Sequence, residues 1–155
     1  MTMLSIAIAL HALAAVFWVG GMAFAHGFLR PASGIALAAP ERQRLWFEVF
    51  SRFFPGVWIS IAVLLVTGYW MVLGALGGFS HVGVHVNVMQ TLGIVMMLLF
   101  AHVYFAPWRR FRRAVASGDN EAGGKALAQI RTLVGINLAL GAIVVAVAAS
   151  GRYWP

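Results

Sequence analysis

A chain of 155 residues with 62% apolar and 10% charged residues lies far outside the composition of a soluble domain, so it reads as an integral membrane protein. It has no cysteine, which excludes disulfides, thiolate metal sites and thiol nucleophiles; any metal must be held by His, Met, carboxylate or backbone. The formal net charge of +7 points to lipid headgroups and not to nucleic acid, because most of the arginines stand in two segments beside apolar runs.

The first span is expected over residues 3–29, long enough at about 1.5 Å rise per residue to cross roughly 30 Å of hydrocarbon. Ala23-Phe24-Ala25 resembles a signal-peptidase site, but no basic segment precedes it, and an uncleaved helix is expected. Arg30 and Pro31 should end that helix. A loop rich in Ala, Gly and Ser then runs to Pro40, where a second helix starts with proline in its first turn.

Residues 41–54 are amphipathic, with Arg44, Glu48 and Arg52 at i, i+4 along one face, and read as an interfacial lead-in. The second span follows over 53–76, with a kink expected at Pro55-Gly56 and a close-packing point at Thr67-Gly68. Gly77-Gly78-Phe79-Ser80 makes a short uncharged turn. The third span covers 82–106, is ended by Pro107 and Trp108, and is followed at once by Arg109, Arg110, Arg112 and Arg113. Ser117-Gly118-Asp119-Asn120 breaks the chain, with Asp119 or Asn120 as a cap, before a fourth span over 127–149. That span is thick with Ala and Gly, so a neighbouring helix can approach its backbone.

The fold class is therefore all-α integral membrane: one domain over residues 1–155, an antiparallel four-transmembrane-helix bundle with cytoplasmic helix extensions. Arg30, Arg42, Arg44 and Arg52 in the first connection and Arg109, Arg110, Arg112, Arg113 and Lys125 in the third leave the second connection uncharged. The positive-inside rule then puts both termini outside, in the periplasm for a bacterial inner membrane protein.

Ionisable side chains within spans are functional candidates, since each costs roughly 2.5 kcal/mol or more at mid-bilayer. His26 lies four residues before Arg30 and His102 seven before Arg109, a height difference of about 4.5 Å on straight helices. These two can form an inner pair. On the same ruler His11 matches Met89 in height better than His85, and it shares one face of the first helix with Trp18 and Met22. His81, His85 and Met89 recur at i, i+4, i+8 at the outer end of the third span, a His and Met stripe of the kind a soft copper ion selects. The other methionines, Met96 and Met97 among them, read as packing. Gln90, Thr91 and Asn137 are expected to make interhelical hydrogen bonds.

His11 followed after six residues by Trp18-Val19-Gly20-Gly21, Arg30-Pro31 at the helix end, Arg52-Phe53-Phe54 at the start of the second span and Thr67-Gly68 within it resemble the CopD family of bacterial inner-membrane proteins. The resemblance covers nearly the whole chain and extends to the similar HemJ-type membrane proteins, which share the helix-one His and Trp pattern. It implies copper uptake and resistance from the first and haem b with protoporphyrinogen oxidation from the second. It also implies His11 as a ligand, with Trp18, Gly20 and Gly21 as its packing environment.

Three functions are open at this point. In the leading one the bundle holds one or two b-type haems bound by His11, His26, His85 and His102, and passes electrons to or from a quinone or redox partner as a membrane oxidoreductase or electron carrier. In the second, His11, His81, His85 and Met89 bind copper for uptake or resistance. In the third the chain is an accessory subunit of a larger membrane complex, docked or oligomerised through the Ala and Gly face of the fourth span. No catalytic residue is assigned.

Overall fold

The computed structural model describes residues 2–154, which are helical almost throughout. Helix α1 (Met3–Phe24) is capped by Thr2, whose hydroxyl accepts the Ser5 backbone N–H at 3.3 Å. It does not stop at Arg30 and Pro31. A π-helical turn over Ala25–Leu29 sends the Arg30 N–H to the Ala25 carbonyl, and the chain continues as α2 (Arg30–Ala36) with Pro31 in its first turn. The wide turn restarts the helix just before proline, where the missing N–H costs no bond. The long loop expected up to Pro40 is in fact a two-residue corner at Leu37 and Ala38, because alanine is the strongest helix former and the segment carries four alanines from Ala32 to Ala39.

Helix α3 (Ala39–Trp70) starts with Pro40 in its first turn, as its sequence implies, and Glu41 accepts the Ala38 N–H at 3.3 Å. The amphipathic lead-in and the second span form this one helix, which runs unbroken through Pro55 and ends in a π-helical turn, Met71–Ala75. Trp46, Phe50, Phe54, Val57 and Ile61 recur at three- and four-residue steps and all are buried, so one stripe of α3 faces the core from the basic end to mid-helix.

Helix α4 (Val84–Phe105) breaks at Ala106, and Pro107 opens α5 (Pro107–Ser117). Trp108, Phe111 and Ala114 bury one face of α5, while Arg109, Arg110, Arg112 and Arg113 are exposed on the other. Gly118, at φ 71°, takes the left-handed conformation that stops α5. Asp119 then caps α6 (Asn120–Ser150) through the Ala122 N–H at 2.9 Å.

Four continuous helical segments, Met3–Ala36, Ala39–Ala75, Val84–Ser117 and Asn120–Ser150, are long and apolar enough to cross a membrane. In the bundle α1 packs mainly against α3, α4 mainly against α6, and α5 folds back onto α6. Aromatic rings join the two pairs. Phe54 meets Phe100 and Trp108 edge-on at 5.4 Å each, Trp58 meets Phe100 at 5.2 Å, and Trp18 reaches Phe100 at 6.0 Å. Edge-to-face pairs contribute about 0.5–1.5 kcal/mol each beyond area burial, so this cluster fixes how the halves dock. Gln43 adds a polar tie at the same end, donating to the Asn120 carbonyl at 2.8 Å. The heavy core therefore lies toward the arginine-rich end. The opposite end carries His11, His81 and His85.

Candidate functional site

His11 sits half-buried on α1 against α3, and its position is set by a two-step hydrogen-bond chain. Nδ1 of His11 lies 2.8 Å from Oγ1 of Thr67, and that hydroxyl lies 2.6 Å from the Val63 carbonyl. A carbonyl only accepts, so Thr67 spends its one proton on Val63 and must accept from His11. Nδ1 therefore carries a proton, and in the neutral ring Nε2 is the nitrogen with the bare lone pair. A metal-binding histidine has its second nitrogen oriented in this way. Gly68 makes the approach possible, since a Cβ there would lie 3.2 Å from Cε1 of His11.

The outer end of α4 differs from the continuous stripe expected. His81 precedes the helix, which starts at Val84, so only His85 and Met89 share its face. His81 is exposed and donates from Nδ1 to the Gly77 carbonyl at 3.0 Å, with the Ser80 hydroxyl also 3.0 Å from that nitrogen. Its Nε2 is thereby left as a lone pair as well. His85 is half-buried under the end of α6: Gly151 is in contact with it and Trp154 lies 6.5 Å away ring to ring. Met89 is half-buried one turn further along.

The inner histidines face different neighbours. His26 turns toward α6, where a Cβ on Gly135 would sit 3.1 Å from its ring, and its Nε2 accepts from Nη1 of Arg30 at 3.4 Å. His102 is exposed on α4. Their similar height does not bring the two rings together: His26 turns toward α6, and His102 is exposed on α4. His11 and His85 are likewise separated, one held by α3 and the other by the end of α6. Among the described residues no group of three His, Asp or Glu side chains is assembled around one point.

One buried polar residue departs from its expected pairing. Asn137 on α6 is buried, and its Oδ1 has no hydrogen-bond partner among the described residues, instead of the interhelical bond expected of it. Only its position in mid-span marked it beforehand.

A family model described as Copper resistance protein D matches residues 47–150, about two thirds of the chain. The match takes in Thr67, His81, His85, Met89 and His102 and leaves His11 and His26 outside it. No curated protein and no solved structure matches the chain.

Proposed function

The chain belongs to the CopD family, and we propose that it captures copper at the outer end of its bundle for uptake or buffering in a bacterial inner membrane. The observation that carries this reading is the His11 to Thr67 to Val63 chain, which commits Nδ1 to Thr67 and makes Nε2 the nitrogen left for a metal in an apolar bundle. Copper(I) prefers such imidazole and thioether donors, and needs few of them. His81 and His85 in the turn and first turn of α4, with Met89 behind them, would receive copper from outside, and His11 would hold it deeper.

The orientation proposed has both termini in the periplasm, supported by the gathering of Arg30, Arg42, Arg44, Arg109, Arg110, Arg112 and Arg113 at the other end. No continuous polar route leads from His11 to that end, where Trp18, Met22, Met96 and Phe100 are packed and buried. The role is therefore copper capture and hand-over within the outer leaflet.

The test is copper retention by the protein purified in detergent and loaded with copper(I). Wild type should keep stoichiometric copper, and His11→Ala should lose most of it. A Soret band in the purified protein, abolished in His11→Ala, would restore haem in place of copper.

A further inference from the structure

The arginine-rich end holds a second cluster that the copper reading does not use. Between α1, α2 and α6 lies a cavity of about 260 Å³ lined by His26, Arg30, Ala128, Arg131, Thr132 and Gly135. Arg30 and Arg42 both lie close enough to Arg131 for their charges to act on it. Three guanidinium groups are thus gathered from α2, α3 and α6. The Nε atoms of Arg42 and Arg131 are buried and have no hydrogen-bond partner among the described residues.

Among the described residues no acidic side chain pairs with them. Of its four acidic residues, Glu41 caps Ala38, Glu48 pairs with Arg52, Asp119 caps Ala122 and Glu121 pairs with Lys125. Like charges brought together at a membrane boundary repel, and desolvated guanidinium N–H groups without acceptors are costly. The lining supplies donors in return. Arg30 and Arg131 offer guanidinium forks, and His26, whose Nε2 accepts from Arg30, carries its proton on Nδ1. Thr132 spends its hydroxyl proton on the Ala128 carbonyl at 3.2 Å and can add none. Gly135 keeps a side chain out of the space beside His26. A cavity of net positive charge whose free donors are the Arg30 and Arg131 guanidiniums and the His26 Nδ1–H matches a tetrahedral oxyanion, which guanidinium forks bind in bidentate fashion.

We propose that this cavity binds a phosphate group, carried either by an anionic lipid headgroup or as free phosphate, between Arg30, Arg131 and His26. The site would fasten the inner ends of α1, α3 and α6 to one another by supplying the negative charge that the chain itself lacks.

The test uses the full chain, freed of lipid in detergent, with binding read by native mass spectrometry and unfolding by a thermal melt. The probes are short-chain phosphatidylglycerol, short-chain phosphatidylcholine, sodium phosphate, and sodium chloride at equal ionic strength. Phosphatidylglycerol should bind one to one and raise Tm. Arg131→Gln and Arg30→Gln should each weaken that binding by about tenfold, while Arg110→Gln, exposed on α5, should not. A rise in Tm with phosphate alone identifies the free oxyanion as a ligand; a rise with phosphatidylglycerol only identifies the headgroup. Binding that is equal in wild type, Arg131→Gln and Arg30→Gln overturns the proposal, as does the absence of any advantage of phosphatidylglycerol and phosphate over phosphatidylcholine and chloride. If Arg131→Gln does not fold, the exposed Arg30 variant decides.

Discussion

The Thr67 hydroxyl stands 2.8 Å from Nδ1 of His11 while giving its own proton to the Val63 carbonyl at 2.6 Å, so Nδ1 donates to Thr67 and Nε2 is the imidazole nitrogen left for a ligand. An α3 residue that binds nothing itself thereby decides what an α1 residue can bind. It acts as a positioning residue in the proposed copper site.

Thr67→Val keeps the side-chain volume and removes the acceptor. Copper(I) affinity should fall about 10-fold to 100-fold, the range for lost outer-shell partners of metal-bound histidines, while Thr67→Ser should retain it. Folding stability should drop by only about 1 kcal/mol, the worth of an interhelical hydrogen bond in a membrane. Nitrogen chemical shifts of His11 would report the change of tautomer directly, and an unchanged tautomer in Thr67→Val would refute the assignment.

Gly151→Ala should unseat the outer end of α4. A Cβ there would fall 2.4 Å from Cβ of His85, an atom fixed to the backbone that cannot swing aside. Overpacking of this kind costs about 1–3 kcal/mol. A lower Tm together with weaker copper retention is expected, whereas Gly20→Ala, with nothing within 4 Å of its Cβ, should behave as wild type.

Phe54→Ala should be the most damaging apolar truncation. Phe54 is 2% exposed and meets rings from α4 and α5 at 5.4 Å, so its loss opens a cavity where the two helix pairs join. A cost of about 3–5 kcal/mol is expected, read as a loss of Tm in detergent and of monodisperse protein on size exclusion.

Asn137→Leu should not destabilise the protein. The substitution replaces a buried amide whose oxygen is unpaired with an apolar group of similar size, removing a penalty of about 1–3 kcal/mol. A rise in Tm, or none, is the expected melt result. A marked fall would mean that the amide has a partner of its own.

The two basic clusters separate readily on sequence grounds in one case only. Arg109, Arg110, Arg112 and Arg113 sit on the exposed face of α5, as an amphipathic segment at a membrane boundary requires. Arg30, Arg42 and Arg131 stand far apart in the chain and meet only because α2, the start of α3 and α6 converge. Arg131 carries no local signal beyond being a charge inside an apolar span.

The sequence by itself determined that the chain has four helices long and apolar enough to span a membrane, and which family it belongs to. Apolar runs, prolines and Gly-Asp breakers act over a few residues, and such signals survive any packing. It also ranked the histidines by height, since rise per residue is a property of the helix alone. It did not determine which helix each histidine faces. Height along an axis says nothing about neighbours, and the neighbours are decided by how ridges and rings interlock. Here α1 packs on α3 and α4 on α6, so His11 meets Thr67, His26 meets Gly135 and His102 faces outward. The continuation through Pro31 was equally out of reach, because a π-helical turn five residues long absorbs a proline that local rules read as a stop.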